Sequence, residues 1–182
     1  YITFVIVGTA LLMGSLDSTI VSVSLPTMLT DLRTNLAWLG WTVTGFLFSQ
    51  CIIMPLAGKL SDEFGRKRLF LAAIALFTVT SMAAGLAPNI YWLIVFRVVQ
   101  GMGAGALLPS ATGIICDAFG ERRATAVGLF GSITPIGGVL GPNLGGLIIS
   151  HASWRWIFFV NVPVGLVLLL VGALLLPKGD AV

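Results

Sequence analysis

"GKLSDEFGRKRLF", residues 58–70, is the densest run of charge in this sequence, and apolar stretches flank it on both sides. Upstream, residues 36–57 carry no charge and open with Trp38 and Trp41; downstream, residues 69–87 are again uncharged. A bilayer crossing takes about 20 mainly apolar residues, and Trp and Tyr gather at its two interfaces. A charged link between two such runs reads as a chain that crosses, turns and returns. Working outward, the first run covers about 1–29, interrupted by Asp17, and is followed by the polar link "TDLRTN". After "APNIYW" (87–92) the fourth run covers about 91–115 and contains Arg97. "DAFGERRA" (117–124) and "SHASWRW" (150–156) then bound a fifth run at about 125–149 and a sixth at about 157–176. The pattern predicts an all-α membrane protein with six transmembrane helices.

Composition agrees. The 182 residues are 57% hydrophobic and 9% charged, with a mean hydropathy of +1.03, whereas a soluble domain carries about 25% charged residues. The net charge of +3 is no nucleic-acid signal, because its location matters more than its sum. Lys59, Arg66, Lys67, Arg68, Arg122, Arg123 and Lys178 fall on one side of the alternating spans, and Arg33 and Arg155 on the other. Basic residues collect in cytoplasmic loops, so both ends are expected in the cytoplasm of a multi-pass plasma-membrane protein, a bacterial inner membrane being the natural setting. Cys51 and Cys116 have no metal spacing, and no His cluster, carboxylate pair or Ser-His set is present. No enzyme, cofactor or metal is therefore expected. The sequence opens at Tyr1 already inside an apolar run and closes soon after another, as a piece of a longer chain would.

Two charges lie well inside spans, Asp17 and Arg97. Each costs roughly 3 kcal/mol on insertion scales and is expected to face a polar cavity or a partner. By helical spacing Asp17 shares a face with Met13, Gly14, Ile20, Val21 and Ser24, and Arg97 with Leu93, Gln100, Gly101 and Ala104. Desolvation favours a neutral carboxyl and a nearby cation an ionised one, so Asp17 reads as a proton site. A fixed Asp17–Arg97 pair joining two helices is the structural alternative. The fifth run carries Gly137, Gly141 and Gly145 at four-residue intervals, with Pro142 and Gly146 among them. Small residues at that spacing let helices approach closely, and proline tends to kink them. "GMGAG" (101–105) lies mid-span, follows no strand and has no Walker lysine, so nucleotide binding is not expected.

With these motifs in place, the chain resembles the amino-terminal six-helix half of a major facilitator superfamily transporter. "GKLSDEFGRKRLF" is similar to the signature between the second and third spans, with Gly58, Asp62, Gly65, Arg66 and Lys67 in register and Glu63 standing where a basic residue is usual. "RVVQGMGAGALLP" (97–109) resembles the fourth-span motif of proton-coupled members, and "GGVLGPNLGG" (137–146) the fifth-span motif typical of antiporters. "LDSTIVSVSLP" (16–26) and "WRWIFFVNVPVG" (154–165) are similar to signatures of the fourteen-span drug:proton antiporters. The resemblance implies a 3+3 inverted repeat, proton coupling at Asp17 and Arg97 on the central cavity, and conformational switching at the signature and fifth-span glycines. It also implies a missing C-terminal half, or a second copy of this chain in its place.

The expected function is efflux of lipophilic, often cationic compounds against proton entry. Trp41, Phe46, Phe48 and Gln50 on the second span and Gln100 on the fourth are candidate cavity residues, although the aromatics equally suit lipid or helix contacts. A symporter or uniporter of the same fold is the alternative, and a non-transporting membrane assembly or regulatory protein is the alternative of another class.

Overall fold

The computed structural model describes residues 2–176, all in helices and the short links between them. The elements are α1 (Ile2–Asp31), α2 (Leu36–Phe64), α3 (Arg66–Gly85), α4 (Ile90–Phe119), α5 (Arg123–Gly131), α6 (Ile133–His151), α7 (Trp156–Phe159) and α8 (Asn161–Leu175), with a 3-10 turn at Gly120–Arg122. Five helical stretches are long and apolar enough to cross a membrane; one of them, Ile90–His151, has 62 residues. At 1.5 Å per residue that length is about three bilayer cores. The stretch reverses where Gly120 takes φ 44° and ψ −110°, a backbone geometry that favours glycine.

Helix ends follow local chemistry. Asn35 and Asn89 accept hydrogen bonds at Oδ1 from the backbone N–H of Trp38 (3.0 Å) and Trp92 (3.1 Å), capping α2 and α4. Two breaks have a proline cause. Pro135 and Pro163 have no N–H for the carbonyls of Gly131 and Phe159, and those are the residues at which α5 and α7 end. The fifth and sixth apolar runs are therefore each split in two. Other prolines (Pro26, Pro55, Pro109, Pro142) stay inside unbroken helices. No kink is needed at Pro142 to end a helix.

The charged stretch at 58–70 is not a loop. α2 continues to Phe64 and α3 starts at Arg66, so the link is Gly65 alone, at φ 91°. Gly58 lies inside α2 with open space where a Cβ would be. α2 extends past its apolar run because its last turns project into the charged end rather than into packing: Lys59, Asp62 and Glu63 are exposed.

Contacts define two ends of the bundle. At one, Arg66 Nη1 donates to the Gly113 carbonyl (2.7 Å) and Asp117 Oδ1 (2.6 Å), with Asp62 3.5 Å from Nη2. Lys67 Nζ donates to the carbonyls of Ala173 and Leu176, capping α8. At the other end, Trp154 Nε1 donates to Asp31 (2.9 Å), and Arg155 Nη1 donates to the carbonyls of Gly85 and Ala87 (both 2.8 Å). Arg66→Ala is expected to lower stability by about 1 kcal/mol, because the side chain is partly solvated and its contacts are screened. Thermal unfolding of the full-length protein in detergent measures it.

The buried apolar side chains form two clusters. One contains Met13, Phe46, Phe77, Ala104 and Leu168. The other contains Ile20, Leu39, Ala84, Leu93 and Phe158. On each of α1 to α4, and across the α7–α8 junction, the residues between the two clusters include a buried polar one: Asp17, Thr42, Ser81, Arg97 with Gln100, and Asn161. The bundle thus has a polar layer between two apolar ones.

Candidate functional site

Asp17 and Arg97 meet in that layer. Their side chains are each 1% exposed, and Arg97 Nη1 donates to Asp17 Oδ2. Removing two charges from water costs several kcal/mol each unless pairing and further hydrogen bonds offset it. Both compensations are present. Arg97 Nη1 also donates to Gln100 Oε1 (2.9 Å) and Nε to the Thr42 carbonyl (3.3 Å), while the guanidinium lies 4.0 Å from the Phe46 ring centre and 5.8 Å from that of Phe158. Asp17 Oδ1 accepts from Gln100 Nε2 (3.2 Å) and Asn161 Nδ2 (2.7 Å). Asn161 Nδ2 also donates to Ser81 Oγ (3.1 Å), and Ser81 Oγ donates to the Phe158 carbonyl (2.9 Å).

Polarity fixes the direction of each bond. Arginine only donates, so Gln100 presents its oxygen to Arg97 and its N–H to Asp17. The Phe158 carbonyl only accepts, which commits the Ser81 proton to it. Ser81 must then accept from Asn161, and Asn161 presents N–H to both neighbours. Among the described residues, every side-chain hydrogen-bond partner of Asp17 is a donor. A proton on either oxygen would face a donor.

Of the polar cavity or partner expected for Asp17 and Arg97, this structure shows the partner: they face each other. Both are sealed inside this six-run bundle without any covering second half, because polar groups from α1, α2, α3, α4 and α8 converge on them. Gln100, expected on the cavity, is also buried and belongs to this cluster.

Comparison with known proteins gives the setting. The family model for the Major Facilitator Superfamily matches residues 7–181. The chain belongs to the Major Facilitator Superfamily. It is 41% identical over 170 residues to the multidrug resistance protein B homolog of Mycobacterium tuberculosis, covering 93% of this chain and 32% of that one. It is 37% identical over 180 residues to the tetracenomycin C resistance and export protein of Streptomyces glaucescens, covering 98% of this chain and 34% of that one. The chain thus spans about a third of the length of these relatives. Among solved structures, the proton:xylose symporter XylE bound to 6-bromo-6-deoxy-D-glucose aligns with a TM-score of 0.85 at 17% identity, over 98% of this chain and 45% of that one. That likeness shows the fold: an all-helical half-domain of the major facilitator type, whose long apolar helices suit a membrane.

The other major facilitator motif residues divide by environment. On α6, Gly137, Gly141 and Gly145 are buried against α1, facing Ser15, Thr19 and Ile20 respectively. Thr19 Oγ1 donates to the Gly137 carbonyl (3.3 Å) and Ser15 Oγ to the Thr134 carbonyl (2.8 Å), which joins the two helices. Pro142 and Gly146 are exposed on the other side of α6. Glycines of "GMGAG" likewise serve packing. Gly101 and Gly105 seat against the backbone of Phe46 and Gln50 on α2, and Gly103 against that of Ala73 and Phe77 on α3. On α2, Phe46 is buried under Arg97, and Trp41 and Phe48 are exposed. By helical rotation those two lie on the opposite side from Gln50. Gln50 lines a half-open cavity with Ser15, Ser18, Ala104, Leu108 and Thr134. Asn161 and Ser81 were not singled out from sequence. The available signal was a lone amide in the apolar segment "IFFVNVPVG", one turn before Gly165.

Proposed function

We propose that this chain is the amino-terminal half of a proton-driven exporter of lipophilic, often cationic compounds. The observation that carries the reading is the Asp17 carboxylate, sealed mid-bundle and surrounded by donors alone. A proton arriving there must displace at least one of Arg97, Gln100 and Asn161. Proton uptake and the helix contacts made through those residues are then linked, and a ligand that favours one arrangement opposes the other. Intramembrane ionisable residues of this kind mark ion pathways. The multidrug and export names of the relatives support the substrate class, and the fifth-span glycine motif supports the direction of exchange.

In this reading the cavity beside Gln50 faces the substrate path, and the remainder of a full-length carrier, or a second copy, completes it. The signature residues Asp62, Arg66 and Lys67, with Gly65 as the link, hold the ends of α2, α3, α4 and α8 together in one state, and the Gly137–Gly141–Gly145 contact with α1 is a sliding surface. Lys59, Arg66, Lys67, Arg68, Arg122 and Arg123 gather at one end and Arg33 and Arg155 at the other, which supports a cytoplasmic location for the first end in a bacterial inner membrane. Lys178, counted with that end from sequence, lies outside the described residues.

The test uses full-length carrier in proteoliposomes, with a cationic dye and a pH-sensitive probe. An imposed proton gradient is expected to drive dye against its concentration gradient with the intact protein, and Asp17→Asn is expected to remove that drive. Coupled transport that survives in Asp17→Asn, or dye that follows the proton inward, would overturn the reading.

A further inference from the structure

We infer that Asn161 is a positioning residue for Asp17, and that the Phe158–Ser81–Asn161 chain of hydrogen bonds makes the α7–α8 junction responsive to its protonation. The inference rests on the proton role proposed for Asp17. Asn161 is 6% exposed and Ser81 fully buried, so neither has water as an alternative partner. Their order is fixed at one end by a backbone carbonyl, as derived above. Asn161 cannot present its oxygen to Asp17 without facing Ser81 with an acceptor as well, and Ser81 has no second proton to give. The amide is therefore held with its N–H toward Asp17.

The place of the anchor matters as much as its polarity. Phe158 lies in α7 and Asn161 opens α8, with Val160 between them. The Phe159 carbonyl, next to the anchoring carbonyl, already lacks its helical donor because Pro163 follows four residues later. Phe158 also places its ring 5.8 Å from the Arg97 guanidinium. One broken helical turn thus contacts both members of the ion pair, through an amide to the acid and through an aromatic face to the base. When Asp17 releases its proton to solvent water, the O–H bond breaks and its electron pair stays on the carboxylate. Asn161 and Gln100 donate to that oxygen. When the proton returns to Oδ1, the contact with Asn161 or with Gln100 must open, and where Asn161 yields the junction loses its tie to α1.

The experiment uses full-length carrier in proteoliposomes with a cationic dye, and reads the ratio of gradient-driven dye accumulation to downhill dye equilibration. Asn161→Leu keeps the volume and removes the donors. It is expected to lower that ratio about tenfold or more, the scale of one hydrogen bond to a charged group. Ser81→Ala frees the amide to turn and is expected to lower the ratio by a smaller factor, while Ser81→Thr, which keeps the hydroxyl, restores it. A purely structural role would depress both rates together and leave the ratio unchanged, and that result overturns the inference. A ratio lost in Asp17→Asn but kept in Asn161→Leu overturns the positioning role alone. A ratio kept in Asp17→Asn overturns the proton reading beneath it. If Asn161→Leu fails to fold, the Ser81 pair decides by the same ratio.

Discussion

The double variant Asp17→Asn/Arg97→Gln is expected to be more stable than Asp17→Asn alone, although neither should couple transport to protons. The reason lies in the burial of both charges and in an asymmetry between them. Removing one member of a buried pair leaves an uncompensated charge and costs about 3–5 kcal/mol. Asp17→Asn strands a guanidinium that cannot become neutral. Its residual partners are Gln100, the Thr42 carbonyl and the ring of Phe46. Arg97→Gln strands a carboxylate, which retains Gln100 and Asn161 as donors and can take up a proton, so its loss should be smaller. The double variant removes both charges and leaves amides that can pair with each other. Thermal unfolding of the four full-length proteins in detergent should rank Asp17→Asn lowest. Equal losses for Asp17→Asn and the double variant would show that charge balance does not hold this layer together.

The other large effect is expected from a single methyl group. In Gly101→Ala the new Cβ would fall on the Phe46 carbonyl and the Ser49 hydroxyl, and at Gly105 it would lie 3.1 Å from Gln50 Cα and closer to its carbonyl oxygen. The obstruction is largely backbone, which cannot rotate away, so α2 and α4 must separate. Overpacking usually costs about 1–3 kcal/mol, and the upper part of that range is expected at Gly101. Phe46 is also the ring on which Arg97 rests, so moving α2 disturbs the ion pair as well. Gly128→Ala is the control. Nothing lies within 4 Å of a Cβ there, and inside a helix the change should be neutral or stabilise by up to about 1 kcal/mol. Melting temperatures of the two variants in detergent give the comparison; a Gly101→Ala protein as stable as the control would mean that the close α2–α4 approach is not required.

Much of this was legible from hydropathy. The apolar runs locate the helices because a bilayer requires length and lack of charge, and the same rule makes Asp17 and Arg97 conspicuous. Gln100 followed from helical spacing relative to Arg97. Two kinds of feature were not legible. One concerns ends and breaks. Whether a charged stretch is loop or helix depends on whether its backbone bonds continue, so the link at 58–70 shrank to Gly65, and the two split runs became clear only when Pro135 and Pro163 were matched to the carbonyls they leave unbonded. The other concerns partners far apart in sequence. Asn161 lies 144 residues from Asp17, and an asparagine in an apolar run does not announce which helix it crosses to. Nor does hydropathy distinguish a charge facing a cavity from one sealed by its own bundle, and here the second arrangement holds.

Among the described residues, Asp17 already finds its hydrogen-bond partners Arg97, Gln100 and Asn161 within this one segment. A carrier built this way would keep its energy input separate from the surface that selects cargo. The opposite half, and the wall near Gln50, could diversify toward new compounds without retuning the acid, much as an appliance is changed without altering the socket. Swapping this segment between related exporters is accordingly a way to ask whether proton dependence travels with it while compound preference stays behind.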